Sequence, residues 1–210
     1  MKLQVALDCN FTADSAVEFA SKLVEYVDII EVGTPFVYDC GLEPVRKLKA
    51  AFPDKEILAD FKIADAGFFE TNQAVSAGAD IITALGVTDD ATIKGAVKAA
   101  HESGRALMVD MLSVADCAAR MRELDAMGVD YICLHTAKDL QVPGHSDAEA
   151  FAKLKDNVKT AKLALAGGIC EGNIAKYVEI NPDLIIVGDG ITGQPDPVKA
   201  AENIAKAMRK

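Results

Sequence analysis

Three short apolar runs in this sequence each end on aspartate: Val5-Ala6-Leu7-Asp8, Ile57-Leu58-Ala59-Asp60 and Leu107-Met108-Val109-Asp110. A fourth acid, Glu31, stands inside such a run between Ile30 and Val32, and His135 closes another. Lys62 follows Asp60 by two residues, which in an extended chain puts both side chains on one face. Carboxylates gathered against apolar walls are costly unless something neutralises them. Lys62 is the near candidate and a divalent cation the second. Hard oxygen ligands, with only three histidines in the chain and no closely spaced cysteines, favour Mg²⁺ over Zn²⁺. Such a set can stabilise negative charge on a substrate oxygen, and a histidine titrating near neutrality can move a proton beside it.

These residues need elements that bring them together. Four segments open with aspartate and run into a short apolar strand: Asp28–Gly33, Asp80–Gly86, Asp130–His135 and Asp183–Gly188. Four more strands are expected over Leu3–Asp8, Glu56–Lys62, Arg105–Met111 and Lys162–Gly167. Phe11–Tyr26, Leu42–Phe52, Asp89–Ser103, Val114–Met127 and Asp196–Met208 carry apolar residues at helical spacing, with Thr12 and Asp89 at N-cap positions. Gly78 and Gly128 read as left-handed helix stops. Strand and helix thus alternate eight times over 210 residues. Alternation of this kind implies parallel strands covered on both faces. It predicts a single (β/α)8 TIM barrel over residues 1–210, of the α/β class, with an open doubly wound sheet as the structural alternative. The longest irregular stretch is Lys138–Asp147.

In such a barrel chemistry sits at the C-terminal strand ends, and alternate strands contribute to one interior layer. Aligning the odd strands places Asp8, Asp60 and Asp110 around one ring. Glu31 and Asp60 come from adjacent strands and are the expected metal ligands, because Mg²⁺ commonly takes one or two carboxylates. His135, at the end of the sixth strand, is the general acid/base candidate. The ends of strands seven and eight are a frequent phosphate site, and Gly167, Gly168 and Gly188 let backbone N–H groups approach an anion. Asp189 stands at the same place. A carboxylate repels phosphate, so Asp189 must point away or the pocket must differ. Asp139 and Gln141 are candidate loop contacts. His101, His145, Lys153, Lys155 and Lys159 read as surface residues.

Charge narrows the partners. With 22 basic and 32 acidic residues the net charge is −10, which excludes nucleic acid and anionic membranes as bulk partners. A small phosphorylated ligand remains compatible. No apolar run approaches the ~18 residues of a membrane span, and the N-terminal residues read directly as a strand rather than a signal peptide. The five unpaired-looking cysteines are expected to be reduced thiols in a cytoplasmic protein.

Asp60-Phe61-Lys62-Ile63-Ala64-Asp65 is an Asp-x-Lys-x-x-Asp motif at the end of the third strand. Together with Glu31-Val32-Gly33-Thr34-Pro35, Val109-Asp110-Met111, His135-Thr136 and Ala166-Gly167-Gly168-Ile169, it makes the chain resemble the orotidine 5′-monophosphate decarboxylase suprafamily. Within it the chain most resembles the 3-hexulose-6-phosphate synthases, essentially end to end. The resemblance implies a ribulose-phosphate-binding barrel that condenses formaldehyde with D-ribulose 5-phosphate, reversibly and with Mg²⁺, through a 1,2-enediolate. It further implies a homodimer in which Asp65 reaches the neighbouring site. Asp8 would position Lys62 or a sugar hydroxyl, and Asp110 a hydroxyl or formaldehyde. Position 189 departs from the pattern, since related synthases have Gly there and the related decarboxylase Arg. The alternative is 3-keto-L-gulonate 6-phosphate decarboxylase, whose pattern resembles Glu, Arg and Thr where this chain has Asp110, Lys138 and Ala166. A non-catalytic sugar-phosphate sensor would need the glycines, but not Glu31, Asp60, Lys62 and Asp65 together.

Overall fold

The computed structural model describes residues 1–142 and 146–209. Eight parallel strands, β1 (Lys2–Leu7), β2 (Ile29–Val32), β3 (Glu56–Ile63), β4 (Ile81–Leu85), β5 (Ala106–Asp110), β6 (Tyr131–His135), β7 (Lys162–Ala166) and β8 (Leu184–Val187), close into a barrel in sequence order. Helices α1 (Ala13–Ser21), α2 (Thr34–Cys40), α3 (Glu43–Ala51), α4 (Gly67–Ala77), α5 (Asp90–Glu102), α6 (Cys117–Ala126), α7 (Ala148–Ala152), α8 (Ile174–Val178), α9 (Asp189–Thr192) and α10 (Pro197–Met208) lie between and after them. The fold is the expected TIM barrel.

Both faces of each strand are buried, which is why the strands read as continuous apolar runs. Leu3, Val5, Leu7, Ile30, Val32, Ile57 and Ala59 face outward into the core beneath the helices. The alternate residues Ile29, Leu58, Ile81, Met108, Tyr131, Cys133, Ala164 and Leu184 fill the barrel itself. Thr12 forms a reciprocal capping box with Ser15, and Asp89 occupies the N-cap of α5. Gly78 and Gly128 both adopt the expected positive φ. Among the described residues no helix is long and apolar enough to cross a membrane.

The repeated strand-opening aspartates have a structural explanation. Asp28 accepts from Leu3 N–H at 2.8 Å, Asp80 from Ile57 N–H at 2.9 Å, Asp130 from Leu107 N–H at 2.8 Å and Asp183 from Leu163 N–H at 2.8 Å. Each carboxylate satisfies the N–H of the second residue of the preceding odd strand at the barrel floor. Asp80 also binds Lys49 at 2.8 Å and the Arg105 guanidinium. Asp80→Ala should therefore cost about 1–3 kcal/mol, a fall in melting temperature of roughly 3–10 °C read by thermal denaturation.

Helix α4 was not among the segments with helical apolar spacing, and its pattern is inverted. Gly67, Thr71, Ala74 and Ala77 are buried while Phe68 and Phe69 are exposed. Small residues let it approach α5, and a Cβ on Gly67 would lie 2.0 Å from the Thr92 carbonyl oxygen.

The expected ring of three aspartates needs correction. Ala6 pairs with Glu31, and Glu31 with Leu58. Closure of a barrel staggers its strands, so residues at one height are offset from their hydrogen-bonded partners. Carried around the barrel, this register brings Ala6 level with Asp60 and Asp110. Asp8 stands two residues further out. It is half-buried, whereas Asp60 and Asp110 are 6% and 4% exposed.

Candidate active site

Asp60 organises the mouth of the barrel. The Thr83 hydroxyl donates to its Oδ1 at 2.7 Å and the Thr34 hydroxyl to its Oδ2 at 2.8 Å. Lys62 Nζ donates to Asp60 Oδ2 and, at 2.9 Å, to Thr34 Oγ1. The same ammonium lies 3.9 Å from Asp110 Oδ2. Lys62 reaches this position from an irregular backbone. The β3–β4 register shifts between Ala59 and Ile63, Lys62 has φ 49°, and its N–H donates to Thr83 Oγ1 at 2.9 Å. A non-glycine residue in the left-handed region is strained, and such strain collects at functional sites.

His135 Nδ1 sits 2.8 Å from Asp110 Oδ2, while Asp110 Oδ1 accepts from Leu112 N–H at 2.9 Å. The carboxylate thus fixes the imidazole through Nδ1 and leaves Nε2 for a substrate. Sequence reasoning chose both residues but not their pairing.

Glu31 is buried, and its Oε2 accepts from Gln4 Nε2. Burial, then the charges of Asp60 and Asp8, push its carboxyl well above the usual range. Burial pushes Asp8 up as well, helped by Asp60. Asp60 moves the other way. Burial opposes its charge, but Lys62 and the hydroxyls of Thr83 and Thr34 bring it below the ordinary value. Cys133, pushed up by burial and by Asp110, Glu31 and Asp60, stays a protonated thiol.

Lys62 offsets Asp60 and Asp110, burial leaves Glu31 and Asp8 without a cation of their own to hold them charged, and the neighbouring thiol is no thiolate donor. This donor set fits a hard divalent cation. Among the described residues no three acidic, histidine or cysteine side chains form a ready metal cage. Two carboxylates with the remaining positions left to water and substrate is the usual Mg²⁺ arrangement.

The expected anion site lies at the ends of β7 and β8. A cavity of about 460 Å³ opens beside it at the ends of β6 and β7, lined by Thr136, Lys138, Gln141, Gly167, Gly168 and Asn173, among others, with Gly188 and Asp189 outside its lining. Gly167 has φ 98°, and a Cβ on it would stand 2.4 Å from the Thr136 carbonyl oxygen, so only glycine fits. Asn173 Nδ2 donates to Gly168 O at 2.9 Å and its Oδ1 accepts from Cys170 N–H at 2.8 Å, holding the loop. Gly188 packs against Asp8, its ideal Cβ 3.2 Å from Oδ2. Asp189, expected either to point away from the anion site or to mark a different pocket, is paired with the exposed Lys138 ammonium, which offsets its charge.

Other expected residues lie elsewhere. Asp65 and Asp139 are exposed, and Asp65 joins neither Lys62 nor the acids. Gln141 Nε2 donates to Thr136 O at 3.0 Å. His101 binds Asp130 at 2.9 Å at the barrel floor. Lys153, Lys155 and Lys159 are exposed, and His145 lies outside the described residues. Thr34, Thr83 and Gln4 were missed. Gln4 and Thr83 interrupt apolar strands as Glu31 does, and that signal was available.

The model of the Orotidine 5′-phosphate decarboxylase / HUMPS family matches residues 1–204. The chain belongs to this family. A 3-hexulose-6-phosphate synthase of Bacillus subtilis (strain 168) is 47% identical over 208 residues, 99% of each chain. The crystal structure of a 3-hexulose-6-phosphate synthase from Salmonella typhimurium is 41% identical, with a TM-score of 0.95 over 100% of this chain and 99% of that one. A 3-keto-L-gulonate-6-phosphate decarboxylase from Vibrio cholerae is 25% identical, with a TM-score of 0.86 over 99% and 97%. Members of the Orotidine 5′-phosphate decarboxylase / HUMPS family therefore share this barrel with the chain along its whole length.

Proposed function

We propose that this protein is a Mg²⁺-dependent aldolase that adds formaldehyde reversibly to D-ribulose 5-phosphate, giving D-arabino-hex-3-ulose 6-phosphate. The observation that carries this reading is the 47% identity, over 99% of both chains, to a 3-hexulose-6-phosphate synthase. In the reaction a proton leaves C1 of the ketose phosphate, giving a 1,2-enediolate. Its C1 attacks the formaldehyde carbon, the C=O π bond opens, and the new alkoxide takes a proton.

Glu31 and Asp60 would hold the cation. Bound Mg²⁺ supplies Lewis-acid stabilisation of the charge on the ketone and hydroxyl oxygens. Lys62 adds a preorganised positive charge at the same place. His135, oriented by Asp110, carries a proton between the carbon skeleton and its Nε2. Asp8, further out, orients Lys62 or a sugar hydroxyl. Backbone N–H groups at Gly167, Gly168 and Gly188 hold the phosphate. A homodimer, with Asp65 reaching the partner's site, is supported by the exposure of Asp65, Phe68 and Phe69 on one rim. Five free cysteines support a reducing, cytoplasmic setting.

Lys138 protects the phosphate end from Asp189. Lys138→Ala should raise KM for the ketose phosphate about two- to fivefold with kcat little changed, because exposed pairs of this kind are weak. Asp189→Gly in that background should restore it. Steady-state kinetics at fixed ionic strength reads both.

The activity itself is tested by formaldehyde loss with D-ribulose 5-phosphate, with and without Mg²⁺. Mg²⁺-dependent loss is expected. No loss would end the reading. Much faster CO₂ release from 3-keto-L-gulonate 6-phosphate would replace it with the decarboxylase.

A further inference from the structure

Gln4 is a side chain that packing alone does not call for. Its neighbours Leu3 and Val5 face outward beneath the helices, so alternation along β1 turns Gln4 into the barrel. It is fully buried there, and the interior below the acids is otherwise filled by side chains such as Leu58, Met108 and Ala164. Its amide nitrogen donates to Glu31 Oε2. Its amide oxygen is buried with no hydrogen-bond partner among the described residues. A buried amide half of which is unsatisfied is a poor choice for stability, and an apolar residue of similar volume would avoid it.

We propose that Gln4 is a positioning residue for the cation site. By tying down Glu31 Oε2, it fixes the carboxylate's rotation and presents Oε1, which accepts no hydrogen bond from the described residues, to a divalent cation. Outer groups that orient a metal ligand commonly contribute ten- to a hundredfold to metal affinity. The inference rests on the reading of Glu31 as a metal ligand.

The test is Mn²⁺ binding to the purified full-length protein without substrate, followed by electron paramagnetic resonance and calorimetry. Wild type, Glu31→Gln, Gln4→Leu and Gln4→Met are compared, with metal-free melting temperatures measured in parallel. The expected result is a dissociation constant about tenfold or more weaker in both Gln4 variants, with metal-free melting temperatures unchanged or raised. Normal Mn²⁺ affinity in either Gln4 variant overturns the proposal. So does an affinity loss matched by a lower metal-free melting temperature, or failure of both variants to fold, since each marks a purely structural role. If wild type does not bind Mn²⁺, or Glu31→Gln binds it equally well, the metal-ligand reading of Glu31 itself fails, a result distinct from normal binding by the Gln4 variants alone.

Discussion

Lys62→Ala should lower turnover in the formaldehyde assay by about 10²–10³-fold, the usual loss when one preorganised charge facing a developing oxyanion is removed. The ammonium touches Asp60 and Thr34 and lies 3.9 Å from Asp110. Burial opposes its charge, but Asp60 and then Asp110 outweigh that and hold its pKa above the ordinary lysine value. A raised lysine pKa stabilises the fold fully below the unfolded value and loses that contribution only as pH rises through the folded one. The pairing is therefore intact at neutral pH and weakens only in strong alkali. Removing the lysine also leaves Asp60 with only its two hydroxyl partners and takes the ammonium away from Asp110, which keeps His135; this costs stability, although the lysine side chain is 22% exposed and water screens part of the loss. Circular dichroism and thermal denaturation should show a folded but less stable barrel. Turnover near that of wild type would remove Lys62 from the mechanism.

Asp60→Asn is expected to be at least as damaging, on the order of 10³-fold in turnover, because one change removes a cation ligand and the anchor of Lys62. Asn has nearly the same shape. However, its NH₂ group must face either the Thr83 donor or the Thr34 and Lys62 donors together, so about 1–3 kcal/mol of stability is lost as well. The sign with pH follows from the depressed carboxyl. A lowered pKa contributes stability above the unfolded value, and that contribution is lost as pH falls through the folded value. The difference in melting temperature between wild type and variant should thus be full at neutral pH and shrink in acid. A gap that widened in acid would contradict the assignment of Asp60 as the carboxylate charged by Lys62.

Much of this site was legible from local pattern. Runs that are apolar at every position mark strands buried on two faces, so Glu31 inside one and Asp60 and Asp110 at the ends of others stand out without coordinates. Lys62, two residues past Asp60, shares its face by the same alternation. The alternation of strands and helices carried the barrel. It did not reveal α4, whose buried face is made of small residues and Thr71 while its phenylalanines face out.

What local pattern lacks is height. A period of two says which face a residue takes, but its level along the barrel axis depends on the stagger that closure imposes, and that is a property of all eight strands together. Hence Asp8, aligned by sequence with Asp60, stands two residues nearer the mouth. The pairing of Asp110 with His135, the hydroxyls of Thr34 and Thr83 on Asp60, the Gln4 amide on Glu31 and the Lys138 ammonium on Asp189 likewise join strands or loops far apart in the chain. The chain's own order of residues determined the faces and the chemical groups. Only the closed barrel decided which of those groups meet, because each partner is set by register and curvature rather than by its neighbours in sequence.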